Sequence, residues 1–376
     1  MNSLNKVILP GQTIGIIGGG QLGRMMALAA KASGFKIAVL DPTPGCPCGQ
    51  VADIEITANY DDLSALQQLA EVSDVITFEF ENISSEALDT LMSQAYVPQG
   101  SELLKISQNR IIEKRTITEA GVKVAPYAVI KTAGDLYEQV DVIGYPCVLK
   151  TSTGGYDGKG QFVIKGKEDL EEAAKLVEQC ECVLEAWITF SKEVSVIVAR
   201  NVDGETKVFP VAENIHLDNI LHQSIVPARI SKETEKLALE QAILIANSMK
   251  MVGTLAVEMF ATEDGDIYIN EIAPRPHNSG HYTMEACETS QFEQHIRAVC
   301  NWKLGNTMLL KPVVMVNILG EHMEALLENI PTLVNWKIHL YGKSEPKIKR
   351  KMGHVNILRD NIDLALNEAE QSNIWS

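Results

Sequence analysis

The chain has 376 residues, enough at roughly 150 residues per domain for two or three domains. Hydrophobic residues make up 45% and charged residues 22%, a globular composition that excludes collagen-like, low-complexity and wholly disordered chains. With 33 Lys and Arg against 49 Asp and Glu the formal charge is −16, which argues against a nucleic-acid-binding or anionic-membrane protein, so any anionic ligand has to be met by a local basic patch.

Met1 to Gly20 has no basic stretch followed by a clean apolar run, because Pro10 and Gly11 interrupt it, and no secretory signal is expected. No apolar run approaches the roughly eighteen residues of a membrane span. Thr13 to Gly20 reads as a buried strand running into glycines, Gln21 to Lys31 as a helix, and Ile37 to Leu40 as a strand ending at Asp41. Cys46 and Cys48, like Cys180 and Cys182, are one residue apart, which is not zinc-site spacing. All seven cysteines are expected to be reduced thiols of a cytoplasmic protein. A strand over Val75 to Phe80 carries Glu79 and Glu81 at its carboxyl end, where ligands sit in doubly wound parallel sheets.

From Asn109 the pattern changes: a helix to Glu119, a turn at Gly121, then strands over Val148–Lys150, Val183–Trp187, Glu193–Ala199 and Val208–Ala212. Lys232 to Lys250 reads as a long amphipathic helix, and Val313 to Leu319 as a strand of a short final segment. The expected division is 1–108 for an N-terminal Rossmann-like domain, 109–305 for a central region of two subdomains, and 306–376 for a small C-terminal domain.

Gly18, Gly20 and Gly23 satisfy G-x-G-x-x-G between a strand and a helix, with Asp41 eighteen residues further on. Alone, this is the fingerprint of an NAD(P)-dependent oxidoreductase, although many parallel-sheet domains reuse the turn for other ligands. A second glycine loop, Thr151 to Gly160, contains Gly154, Gly155, Gly158 and Gly160 with Tyr156 and Asp157. Its backbone N–H groups can fold over a polyphosphate while Lys150 adds a point charge. It is not a Walker loop, since Gly158-Lys159 is followed by Gly160.

Strands over Thr254–Met259 and Ile267–Glu271 flank Asp264-Gly265, read as a two-residue hairpin turn that sets Glu258 opposite Glu271. Opposed carboxylates repel, and a bound divalent cation such as magnesium, which favours oxygen ligands and bridges nucleotide phosphates, removes the cost. Next come Arg275, His277, Asn278 and Ser279, a guanidinium, an imidazole, an amide and a hydroxyl able to cradle a small planar oxyanion. Five cations lie between Lys343 and Lys351, either a solvated face or a receptor for a phosphate monoester.

Lys114, Lys150, the glycine loop, Glu185 to Ile188 with Glu193, and the Glu258/Glu271 pair stand in the order seen in ATP-grasp ligases. More closely, Gly18 to Gly23, Thr77 to Glu81, Gly154 to Gln161, Asn270 to His281 and Arg350 to His354 resemble the N5-carboxyaminoimidazole ribonucleotide synthetases of purine biosynthesis, over about residues 12 to 360. The resemblance implies an α/β and α+β chain of ATP-grasp architecture, with an N-terminal doubly wound parallel-sheet domain and a small C-terminal domain. It implies that ATP phosphorylates bicarbonate to carboxyphosphate, which carboxylates the exocyclic amine of 5-aminoimidazole ribonucleotide, using magnesium or manganese and no biotin. By the same resemblance Lys114 and Lys150 contact ATP phosphates, Glu185, Ala186, Trp187 and Ile188 hold adenine through backbone groups, and Glu193 binds the ribose. Glu258 and Glu271 hold the metal, with Asn270 standing in for an asparagine that many ATP-grasp enzymes carry where this chain has Ala273. Arg275, His277, Asn278 and Ser279 bind bicarbonate. The ribonucleotide lies against Gln21, Glu79 or Glu81, Tyr156 and Asp157, with its phosphate on Lys343 and Arg350. The Gly154 to Gly160 loop is expected to be a lid, and the assembly a homodimer. Another ATP-grasp ligase, activating formate or an amino acid and acting on a related ribonucleotide, is the alternative within the class.

Overall fold

The structure, a computed structural model, describes residues 6–154 and 160–375. Gly155, Tyr156, Asp157 and Gly158, and with them most of the expected lid, lie outside the described residues.

Strands β1 (Thr13–Ile17), β2 (Lys36–Asp41), β3 (Ile54–Thr57) and β4 (Val75–Phe78) form a parallel sheet in the order β3-β2-β1-β4. Helix α1 (Gln21–Ala32) packs against Ile14, Ile16, Ile37 and Val39 on one face. Helices α2 (Leu63–Val72) and α3 (Ser85–Met92) pack against Ile17, Leu40, Ile76 and Phe78 on the other. Cover on both faces is why β1, β2 and β4 are largely apolar, as a doubly wound sheet requires, while β3 at the edge is mostly exposed and carries Glu55 and Thr57. β4 stops two residues short of the expected Phe80, so Glu79 leaves the sheet and turns its side chain toward the start of α1.

After α4 (Glu102–Ser107) comes α5 (Arg110–Glu119), capped by Asn109, whose side-chain oxygen Oδ1 accepts from the N–H groups of Ile111 and Ile112. A second sheet, antiparallel in the order β5-β8-β6-β7, follows from β5 (Tyr127–Ile130), β6 (Cys147–Thr151), β7 (Gln161–Ile164) and β8 (Cys182–Ala186). Helices α6 (Ala133–Ile143) and α7 (Leu170–Val177) cover one face through Leu136, Val140, Ala173 and Val177. The glycine loop joins β6 to β7, and its stem is closed by the Thr151 N–H on the Gly160 carbonyl at 2.9 Å.

The third sheet has nine strands: β9 (Lys192–Arg200), β10 (Thr206–Val208), β11 (Ala212–Leu217), β12 (Ile220–Val226), β13 (Gly253–Ala261), β14 (Ile267–Ala273), β15 (Val313–Leu319), β16 (Trp336–Leu340) and β17 (Lys351–Leu358). Their order is β14-β13-β9-β11-β12-β15-β17-β16, with β10 paired to β9, so the sheet passes through the β12–β15 pairing into the C-terminal segment. Helix α8 (Lys232–Ser248) lays Ala238, Ala242 and Ile245 on Val196 and Leu255 of this sheet. The short α9 (Thr283–Ala286) precedes α10 (Gln291–Val299), which joins α1 in the core of the first domain. After α11 (Met323–Asn329), α12 (Ile362–Gln371) closes the C-terminal core through Ala365 and Ala369.

Two sequence expectations need correction here. Val208 to Ala212 is no strand: Pro210, which has no N–H for a ladder, separates β10 from β11. The β13–β14 loop has three residues, Glu263, Asp264 and Gly265, rather than two; Thr262 N–H bonds the Asp266 carbonyl at 3.0 Å, and Gly265 takes a φ of +86°. The extra loop residue pairs Ala261 with Ile267, one step off the expected register, and a bulge at Asn270 moves it back. Glu258 therefore does face Glu271.

Candidate active site

The first glycine turn is occupied by the protein itself. Glu79 accepts from the N–H groups of Gly20 and Gly23 at the start of α1, where a dinucleotide pyrophosphate would sit. A Cβ on Gly20 would lie 2.5 Å from the Glu79 carboxylate, and one on Gly23 would lie 2.6 Å from the Gly18 carbonyl. Asp41, in the place of a ribose-binding acid, accepts from Gly19 N–H and from the Tyr60 hydroxyl, both at 2.7 Å. Both halves of the fingerprint are spent inside the domain, and the oxidoreductase alternative falls with them.

At the second sheet, Lys114 from α5 and Lys150 from β6 converge on one carboxylate oxygen of Glu185, at 3.0 and 3.2 Å. Burial alone would raise the Glu185 carboxyl, but the two ammonium groups outweigh it and hold the pKa below the ordinary value. The Ala186 N–H goes to the Pro126 carbonyl at 2.8 Å and the Trp187 N–H to the Pro146 carbonyl at 3.3 Å. Those two donors of the expected adenine segment are thus committed within the protein. Arg110 pins the glycine-loop stem, its guanidinium donating to the carbonyls of Thr151 and Gly154, each at 2.8 Å.

The opposed glutamates lie at one edge of the large sheet. Burial, and next the charge of Glu271, push the Glu258 carboxyl up to about 8. The bulge sets Asn270 immediately beside Glu271. The buried Glu113 of α5 accepts from Ile272 N–H at 2.8 Å; burial, then Glu271, raise it too, to about 8. Glu193 pairs with His216 Nδ1 at 2.8 Å, and although burial disfavours the imidazolium, this carboxylate raises the His216 pKa overall. Among the described residues no group of three or more His, Cys, Asp or Glu gathers in metal-holding geometry. Two carboxylates that repel each other still suit magnesium, which keeps water and phosphate oxygens in its remaining positions.

Beside this pair opens a cleft of about 290 Å³. Gln21, Glu79 and Phe80 line it from the first domain, Arg275, His277 and Asn278 from the segment after β14, and Lys351 from β17. His277 Nε2 lies 3.2 Å from Glu258 Oε1 and so joins cleft to carboxylate pair. Burial, then the positive charge of Arg275, hold the His277 pKa well below its ordinary value. Arg275 Nε meets Glu81 Oε1 at 2.8 Å, which makes Glu81 the partner that orients the guanidinium. Neither polar atom of the Asn278 amide has a hydrogen-bond partner, although both are buried.

Three expected contacts are placed differently. The Ser279 hydroxyl does not line the cleft; it is buried against His277 Nδ1 at 2.9 Å and Ser195 Oγ at 2.8 Å. Lys343 donates to the Lys351 carbonyl at 2.8 Å, and Arg350 to the Glu345 carbonyl at 3.0 Å. Lys351, which opens β17 and lines the cleft, was masked in the sequence by the four other cations of its run. Glu113 carried no sequence signal, being one acid among the charges of α5.

This arrangement agrees with the comparisons. Residues 115–292 match the ATP-grasp domain, residues 11–108 the ribonucleotide synthetase preATP-grasp domain, and residues 313–368 the phosphoribosylaminoimidazole carboxylase C-terminal domain. Fold and site thus define an ATP-grasp ligase. The N5-carboxyaminoimidazole ribonucleotide synthase of Bacillus subtilis (strain 168) is 55% identical over 370 residues, covering 98% of this chain and 97% of the relative. A crystal structure of an N5-carboxyaminoimidazole ribonucleotide synthetase as its ADP complex superimposes with a TM-score of 0.96 at 63% identity, covering 98% of each chain. The Aspergillus clavatus enzyme in complex with ADP and 5-aminoimidazole ribonucleotide gives a TM-score of 0.90 at 30% identity, again over 98% of each chain. The chain belongs to the N5-carboxyaminoimidazole ribonucleotide synthase family, enzymes of ATP-dependent carboxylation in purine biosynthesis.

Proposed function

We propose that the cleft between Glu79, Arg275, His277 and Lys351 is where ATP, bicarbonate and 5-aminoimidazole ribonucleotide react to give N5-carboxyaminoimidazole ribonucleotide, ADP and phosphate. The observation that carries this is the contact between His277 and Glu258, which sets an oxyanion cradle directly against a carboxylate pair suited to a nucleotide's cation. A divalent cation there, magnesium or manganese, would be held by Glu258 and Glu271 with Asn270 beside them, and would neutralise charge on the transferring phosphoryl group. Lys114 and Lys150 hold the polyphosphate by exchanging Glu185 for phosphate oxygens, and Glu193 with the Glu185–Ile188 segment receives the nucleoside. Arg275, His277 Nε2–H and the unpartnered Asn278 amide bind bicarbonate and then carboxyphosphate, with Ser279 acting through His277. Gln21 and Glu79 face the aminoimidazole, and Lys343, Arg350 and Lys351 surround its phosphate. Phosphoryl transfer asks for position and charge neutralisation more than covalent help, which is what these groups supply.

Division at 1–108, 109–305 and 306–376 gives each unit a wall of the cleft. Among the described residues no helix is long and apolar enough to cross a membrane, and a homodimer in the cytoplasm fits the family. The test is phosphate release from ATP with magnesium and bicarbonate, with and without the ribonucleotide, and again with formate. Release that requires bicarbonate and rises with ribonucleotide is expected; release with formate alone would overturn the assignment.

A further inference from the structure

Ser279 and His277 are the cleft end of a hydrogen-bonded file that runs into the large sheet. Ser195 Oγ of β9 donates to Ser279 Oγ at 2.8 Å, Asn214 Nδ2 of β11 to Ser195 Oγ at 2.9 Å, and Ser224 Oγ of β12 to Asn214 Oδ1 at 2.7 Å. Asn214 faces Ser224 directly in the β11–β12 register, and Glu193, two residues before Ser195, faces Asn214 in the β9–β11 register. None of the four has open water to turn to: Ser195 and Ser279 are 1% exposed, Ser224 0% and Asn214 7%. A buried file of single-proton hydroxyls has a polarity, because each donates once and must accept from the neighbour behind it.

Counting protons along the file fixes the state of the imidazole at its end. Ser195 gives its hydrogen to Ser279, so Ser279 directs its own at His277 Nδ1, 2.9 Å away. The Ser279 backbone N–H also points at Nδ1, at 3.3 Å, and a backbone donor cannot be reversed. Nδ1 therefore accepts from both and carries no hydrogen of its own, so the ring's single N–H is on Nε2, the atom that faces Glu258 and the cleft. With the Asn214 amide turned over, Ser195 would donate backwards, Ser279 would follow, and Nδ1 would have to donate against the Ser279 N–H.

We propose that Ser195 and Asn214 are positioning residues for the carboxylation: they set the polarity of this file so that His277 presents an Nε2–H donor, not a bare nitrogen, to the reacting anion. The inference rests on the assignment of His277 to the anion cradle. An imidazole with the opposite tautomer would set a lone pair against bicarbonate or carboxyphosphate, turning one donor of the cradle into a repulsion. Neither residue touches the cleft, and no charge or motif marks them in the sequence.

The test pairs histidine 15N chemical shifts, which separate a protonated from an unprotonated ring nitrogen, with steady-state kinetics on the full enzyme. His277→Gln assigns the resonance and, by its own bicarbonate kinetics, tests the cradle itself. In the wild type His277 should show Nε2–H. Asn214→Asp replaces the donor to Ser195 by an acceptor and should move His277 toward Nδ1–H and lower kcat/KM for bicarbonate by about 10- to 100-fold, with KM for ATP unchanged. Ser195→Ala cuts the link while leaving Ser279 free to donate to Nδ1, so added to Asn214→Asp it should return tautomer and rate toward the wild type. Ser195→Thr, which keeps the hydroxyl and so the link, should leave the effect of Asn214→Asp as large as it is with serine. A wild-type ring protonated at Nδ1, or variants that lose rate with the Nε2–H tautomer intact, would overturn the proposal. If His277→Gln leaves bicarbonate kinetics unchanged, the cradle assignment fails, while the shifts still report whether the file sets the tautomer.

Discussion

Glu258 and Lys343 show how the fold moves single side chains away from their solution chemistry. Glu258 is pushed up to about 8 by burial and by Glu271, so the carboxylate pair is held together at a cost that a cation would relieve. Glu271→Gln removes a ligand and the repulsion together. Activity should fall at least a hundredfold while the melting temperature without metal stays level or rises; full activity in that variant would refute the metal assignment. Lys343 moves the other way, down to about 8, through burial first and the adjacent Arg350 second. Its cation is then present below pH 8 and lost above it, so KM for the ribonucleotide should climb above pH 8, by at most about tenfold per unit. Lys343→Arg, which stays charged, should flatten that limb; an unchanged slope would place the substrate phosphate elsewhere. The types and order of these residues were legible because glutamates, glycines and cations stood at informative spacings. The partners were not: Glu79 reads in the sequence as an acid at a strand end, and only the turn after β4 brings it onto Gly20 and Gly23.

Elements were most legible where the apolar period was clean. β15 runs from Val313 to Leu319 as its sequence predicts, and Asn109 caps α5 where the pattern changes. The β13–β14 hairpin was right in its outcome through two offsetting departures, a three-residue loop and a bulge at Asn270, since neither a loop's closing bond nor a bulge leaves a periodic trace. The glycine-loop stem depends on a contact equally invisible in sequence. Arg110 of α5 ties the carbonyls of Thr151 and Gly154, 41 and 44 positions further on, and its own N–H bonds the Ser152 carbonyl at 2.8 Å. Arg110→Ala frees the start of the loop without touching the ribonucleotide side of the cleft. KM for ATP should rise about tenfold, in keeping with the loss of charged hydrogen bonds near the surface, while KM for the ribonucleotide changes less than twofold. Equal rises in both would mean that Arg110 supports the whole cleft rather than the loop.

At the scale of the molecule, the cleft exists because the first domain is locked onto the large sheet, and a buried histidine sits in that junction. His295 of α10 is 0% exposed and meets Thr77 Oγ1 of β4 at 2.7 Å on one side and the Thr254 N–H and hydroxyl of β13 at 3.2 and 3.1 Å on the other. Burial lowers its pKa from 6.5 to about 3. Between those values the unfolded chain binds a proton that the folded chain refuses, so the stability this ring contributes is complete above pH 6.5 and is lost progressively as the pH falls toward 3. The slope approaches about 1.4 kcal/mol per pH unit well below 6.5. His281 and His354, both buried and lowered well below their ordinary pKa, act in the same direction from the junction with the C-terminal strands. The melting temperature should therefore drop steadily from pH 6.5 to pH 5. His295→Gln, which keeps a side-chain donor and acceptor but cannot take up a proton, should start from a lower melting temperature at pH 8 and fall less steeply. If the variant and the wild type lose stability in parallel, the acid sensitivity belongs to other groups, and His295 serves the domain junction only through its packing and hydrogen bonds.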